Sequence, residues 1–183
     1  MFKYIVVIYL LVVGCFNGFG QSQDQTIQAI EEKQAQETVM YQLVNESNVL
    51  LKDSNVNSAL SKIQKALEIS YEIENNRGEA FSYHTLGSIQ YRKQNYKEAI
   101  TYFQKAYTLF KQLQDQNALY NSLRYLCQSF EANNQFETAI IKYSEYLKMA
   151  QTRGISADEL FAKESLGRVH FNHKQFGSSN GFY

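Results

Sequence analysis

Residues 83–106 read YHTLGSIQYRKQNYKEAITYFQKA. From Tyr96 onward the apolar residues Tyr96, Ala99, Ile100, Phe103, Ala106, Tyr107 and Phe110 recur at steps of three and four, which places them on one stripe of an α-helix. No segment of the chain alternates with the period of two that a half-buried strand requires. Leu86-Gly87 and the alanines at 99 and 106 add a second cue. Small residues set among aromatic ones mark places where two helices approach closely, with the rings filling the remaining space.

Working outward from this stretch, one spacing returns. Leu86-Gly87, Leu126-Cys127 and Leu166-Gly167 lie forty residues apart, and Ala59, Ala99 and Ala139 keep the same step. So do Val56, Tyr96, Phe136 and Phe176, and so do Ile63, Phe103 and Tyr143. Agreement of small with small and large with large over several columns identifies an internal repeat. Polar breaks at Asp53-Ser54-Asn55, Asn75-Asn76-Arg77-Gly78, Asp115-Gln116-Asn117, Asn133-Asn134 and Arg153-Gly154 divide the chain. They predict seven helices in antiparallel pairs, at about 25–52, 55–74, 79–93, 96–114, 118–132, 136–152 and 157–174.

Tyr83-x-x-Leu86-Gly87 followed by Ala99-x-x-x-Phe103-x-x-Ala106 resembles the tetratricopeptide repeat (TPR) family in order and spacing. A second copy keeps Leu123, Leu126, Cys127, Phe130, Ala139 and Tyr143, with Tyr146 in place of the last small residue. An earlier copy keeps Leu43, Ser47, Leu50, Ala59, Ile63 and Ala66 but carries Glu46 where an apolar residue is expected. A last copy keeps Leu166, Gly167 and Phe176 before running into Gly177-Ser178-Ser179-Asn180-Gly181. The resemblance implies an all-α fold, a right-handed superhelical array of antiparallel helix pairs. Its repeats fall at 40–73 (degenerate), 80–113 and 120–153, with the first helix of an incomplete fourth at 157–176 and a flexible tail at 177–183. A period of forty in place of the family's usual ~34 adds about six residues, more than one helical turn, around the end of each second helix. The chain has no proline to stop that extension. Repeats of this length resemble those of bacterial sensors and regulators.

Composition narrows the class of function. Eighteen basic residues balance eighteen acidic ones, so there is no electrostatic reason to expect nucleic acid or an anionic membrane surface as partner. Lys3 followed by the apolar run Tyr4–Val13 reads as a secretory signal peptide over residues 1–20, with Gly18 and Gly20 flanking Phe19 and cleavage before Gln21. Gly14, Asn17 and Gly18 interrupt the run before it reaches the ~20 residues of a membrane span, so the mature chain is expected to have none. The competing reading is Val12-Val13-Gly14-Cys15 as a lipobox, with Cys15 lipidated. The chain is thus expected to be exported, periplasmic or secreted, or held as a membrane-anchored lipoprotein. Residues 21–39 form a Gln-rich leader into the first helix, and Cys127 is left without an intramolecular disulfide partner.

No phosphate-binding glycine loop, Cys-x-x-Cys, His-Glu-x-x-His or nucleophile elbow is present, so no enzyme, cofactor or metal chemistry is expected. His170-x-x-His173 has metal-like spacing, but His170 shares a column with Leu50 and Phe130 and is expected to pack. Cys127 shares the small-residue column of Gly87 and Gly167 and is expected to pack as well. The TPR resemblance implies a concave groove lined by the first helix of each pair, binding a protein or extended peptide. Its positions are Phe81, His84, Ser88, Tyr91 and Arg92, then Asn121, Arg124, Gln128 and Glu131, then Phe161, Glu164, Arg168 and Phe171. Ser88 and Gln128 stand where carboxylate-clamping members carry lysine and asparagine, which argues against capture of a peptide C-terminus. The leading expectation is an exported interaction scaffold. The alternatives are the sensor region of a longer signalling protein and a small hydrolase.

Overall fold

The computed structural model describes the backbone of residues 2–179 and the side chains of residues 25–175. The apolar run, the cleavage point before Gln21 and Cys15 fall among residues whose side chains are not described. Among the described residues the chain forms seven α-helices and no strand: α1 Phe2–Lys52, α2 Val56–Glu72, α3 Asn76–Arg92, α4 Tyr96–Gln112, α5 Gln116–Ala132, α6 Phe136–Arg153 and α7 Ser156–Ser179. Each helix packs against the next, and α3 also touches α1 on one side and α5 on the other. The odd-numbered helices therefore form one layer and the even-numbered ones the layer behind it.

From α2 onward the helices begin twenty residues apart, and the reason lies in the turns. Residues Ser54, Glu74, Gln94, Gln114, Asn134 and Gly154 all adopt positive φ, again at steps of twenty. At the second turn the Glu74 N–H donates to the Tyr71 carbonyl at 3.2 Å and the Asn75 N–H to the Ser70 carbonyl at 2.8 Å. This pair of bonds is the Schellman arrangement, which satisfies carbonyls left open at a helix end. All six turns repeat it. The next residue is already the N-cap of the following helix: the side chains of Asn55, Asn75 and Asp115 accept from the backbone N–H three positions on. One four-residue device closes a helix and opens the next, so the hairpins are tight and regular.

Two differences from the sequence reading concern the ends. Helix α1 runs unbroken from Phe2, whereas the periodicity predicts a start near residue 25. The Gln-rich leader is built of good helix formers and contains no turn pair, so it carries the helix onward with every side chain from Gln25 to Ala35 exposed. Helix α7 continues to Ser179, past the predicted end near 174 and into the stretch read as a flexible tail. Glycine costs a helix interior about 1 kcal/mol relative to alanine and serine less, and neither forbids the conformation.

The core lies between the layers in two clusters that meet on α4. Ala106 and Phe110 face Met40, Ile63, Ala66 and Ile89 in one, and Ala99 and Phe103 face Leu123, Cys127, Ala139 and Tyr143 in the other. The small-residue columns do what the spacing predicts at Gly87, where an added Cβ would lie 2.8 Å from the Phe103 ring. A Cβ on Gly78 would collide with Met40. Gly167 differs from its column mates, since nothing lies within 4 Å of its Cβ position.

Candidate protein-interaction surface

The layer α1, α3, α5 and α7 carries all thirteen residues predicted to line a groove, and six of them, His84, Arg92, Arg124, Glu131, Phe161 and Arg168, join one repeat to the next. His84 of α3 is wedged edge-on between Phe103 and Tyr125, both at 5.3 Å, with its Nδ1 3.0 Å from the Ser122 hydroxyl of α5. Burial lowers its pKa to about 4, so the ring is neutral at ordinary pH. Phe81 packs edge-on against Phe110 at 5.0 Å beneath the Arg77 guanidinium, and Tyr91 against Tyr96 at 5.4 Å. Ser88 donates to the His84 carbonyl of its own helix at 3.1 Å, and Arg92 donates to the Leu51 carbonyl at the end of α1.

The two arginines predicted for the groove in the later repeats, Arg124 and Arg168, are clips. Arg124 reaches Asp158 at 3.5 Å and stacks over the Phe161 ring at 4.4 Å. Phe161 in turn packs edge-on against Tyr143 and Tyr146 at 6.2 and 6.1 Å. Arg168 grips Glu131 with two bonds, Nε to Oε1 at 2.6 Å and Nη2 to Oε2 at 3.0 Å. The Tyr143 hydroxyl donates to the same carboxylate at 2.8 Å. Glu131 thus ties α5 to both α6 and α7. Its bond to Arg168 raises the guanidinium pKa further, and burial together with the carboxylate raises that of the Tyr143 phenol.

Asn121, Gln128 and Glu164 remain without a hydrogen bond or ion pair among the described residues. Asn121 and Glu164 are exposed and Gln128 is half-buried. Beside them Tyr125 is 39% exposed with one face stacked on Phe103, and Phe171 is 63% exposed. The sequence pattern does not single out Tyr125, because it sits one position off the predicted stripe; its exposure and its stacking on Phe103 emerge only in the tertiary structure.

A concavity of about 770 Å³ opens beside α1 between Tyr41, Asn45, Glu46, Val49 and Lys62. Forty residues on, Gly78, Thr85, Leu86 and Ile89 are buried against the preceding helix pair. No pair covers this side of α1 among the described residues, which explains the apolar position occupied by Glu46. Its carboxylate meets Lys62 Nζ at 2.5 Å and the Gln42 amide at 2.8 Å, and these bonds hold its pKa below the ordinary carboxylate value.

Cys127 is fully buried, and burial raises its thiol pKa, which suppresses the reactive thiolate. His173 pairs with Glu137 at 2.8 Å, while His170 is exposed and does not pack as its column predicts, because no second helix covers that side of α7 among the described residues. Among those residues, no helix is long and apolar enough to cross a membrane.

The fold is an all-α solenoid of the TPR type. The tetratricopeptide repeat family model matches residues 43–112. Among solved structures the chain is similar to a TPR-like protein from Chlorobium tepidum TLS, with 13% sequence identity over 79% of this chain and 98% of that one and a TM-score of 0.58. At that identity the likeness establishes the fold alone. No curated protein matches the chain.

Proposed function

We propose that the chain is a protein-interaction scaffold that holds an extended peptide along α5 and α7 of its inner layer. The observation that carries this reading is the row of unengaged amides and a carboxylate, Asn121, Gln128 and Glu164, flanked by the exposed rings of Tyr125 and Phe171. Amide side chains meet the open N–H and C=O groups of an extended backbone, and aromatic rings provide anchoring area at little cost in side-chain entropy. The neighbouring clips hold this surface rigid, which lowers the cost of ordering it on binding. Balanced charge favours a peptide over nucleic acid. The apolar N-terminal run supports export, with the mature chain beginning at Gln21 or at a lipidated Cys15. The intact mass of protein recovered from the cell envelope separates these two, and an unprocessed Met1 rejects both.

Linear peptides selected from a random display library test the binding surface. Asn121→Ala combined with Gln128→Ala is expected to weaken the selected peptides about tenfold, or ~1.4 kcal/mol, without shifting the thermal melt. Ile141→Asp, on the outer layer where Ile141 is 66% exposed, is expected to leave affinity unchanged. Peptides that ignore the double variant but are lost with Ile141→Asp place the site on the outer helices instead.

A further inference from the structure

Ile27, Thr38 and Val49 stand eleven residues apart on α1, as do Ile30 and Tyr41, and Gln34 and Asn45. Eleven residues make about three helical turns, so these side chains form one stripe along the helix. Tyr41 is half-buried and the rest are exposed, Ile27, Ile30 and Val49 by 53%, 51% and 55%. The other face of α1 carries the buried Met40, Val44 and Leu51, and further back Ala29, Lys33 and Gln36 beside the end of α2. The stripe therefore points away from the chain's own body. Its later half borders the concavity beside α1. In α3 the equivalent positions Gly78, Thr85 and Ile89 are buried against α1 and the antiparallel α2.

We propose that α1 of a second copy covers this face, antiparallel to the first and centred on Thr38. Two-fold symmetry sets residues equally distant from Thr38 opposite each other, so Ile27 and Ile30 of one copy enter the concavity of the other between Val49 and Lys62. They cannot enter their own. All lie on one continuous helix, where Ile27 is about 33 Å from Val49 at 1.5 Å per residue. Charge agrees with this direction. Glu31 has no ion pair among the described residues, and the antiparallel register brings it beside Asn45 and Lys62 of the other copy. Lys62, 38% exposed, then bridges Glu31 and its own partner Glu46. A parallel register pairs Ile27 with Ile27 and leaves both concavities unfilled. The polar Gln34, Thr38 and Asn45 weaken the seam and fix its register, as polar residues do in helix pairs.

Single cysteines test this in the full chain with Cys15→Ser, since the remaining Cys127 is buried and its thiol suppressed. When Ile27→Cys and Val49→Cys chains are mixed and mildly oxidised, a bridge between the two is expected. Ile27→Cys alone is expected to stay reduced, because an antiparallel pair holds its two copies about 33 Å apart and a disulfide needs Cα atoms within about 7 Å. Ile27→Cys bridging to itself shows a parallel pair or association through the apolar N-terminal run, and a mixture that forms no bridge shows no pairing of α1. Either result overturns the proposal. Light scattering is the second readout. The parent is expected to have the mass of two chains and Ile30→Asp that of one, with helix content by circular dichroism unchanged. A parent of single-chain mass, or a dimer indifferent to Ile30→Asp, rejects the interface.

Discussion

Gly87 shows how much one position can reveal. Its place between Leu86 and an aromatic sixteen residues on was legible in the sequence, because a close helix crossing tolerates only a small residue. The structure puts the Phe103 ring 2.8 Å from where a Cβ would stand. Gly87→Leu is expected to destabilise the protein by about 1–3 kcal/mol or more, measured as a lowered denaturant midpoint at unchanged slope. His84 shows the opposite case. The sequence marks it as a groove residue, but it is wedged between two rings and a serine, and burial lowers its pKa to about 4. The unfolded chain takes up the proton near pH 6.5 and the folded chain only near 4. Stability is therefore lost as pH falls through that window, by on the order of 2–3 kcal/mol. Denaturation at pH 7 and at pH 4.5 measures the loss, and His84→Gln is expected to remove the part due to this ring.

Helices and turns divide the same way. The stripes of α2, α4 and α6 are readable from spacing three and four, since each buries one face and exposes the other. Their ends were harder to read, because five of the six positive-φ residues are not glycine and carry no compositional signal. The column Asn55, Asn75, Asn95 and Asp115 was the available cue, with three of these four side chains capping the following helix. A left-handed conformation strains any residue with a Cβ, so Gln94→Gly, at φ 62°, is expected to stabilise by about 0.5–1 kcal/mol. Gly154→Ala, at φ 67°, is expected to cost about 1 kcal/mol although no atom lies near its Cβ position. Thermal melts of opposite sign check both, and equal melts show that the turns carry no strain.

In the whole molecule each helix touches its neighbours in sequence and little else, so stability propagates along the array from pair to pair. Native-state hydrogen exchange is therefore expected to be slowest in α3, α4 and α5, which lie at the middle of the array, and fastest at α7, whose face around Gly167 is open. Uniform protection across all seven helices contradicts a linear array. At this scale the amino-acid sequence alone determined that the chain is helical, that the helices pair, and that small and aromatic residues alternate at the crossings. Each of these follows from periodicity and residue size, which are properties of the linear chain. Only the tertiary structure decided which polar residues of the inner layer are free. Arg124 and Arg168 read alike as groove cations, yet one lies on Asp158 and Phe161 and the other on Glu131, while Asn121, Gln128 and Glu164 stay open. An arginine on a helix face has the same local pattern whether or not it is paired; the partner lies almost one repeat away, and the distance between neighbouring helices determines whether the two meet.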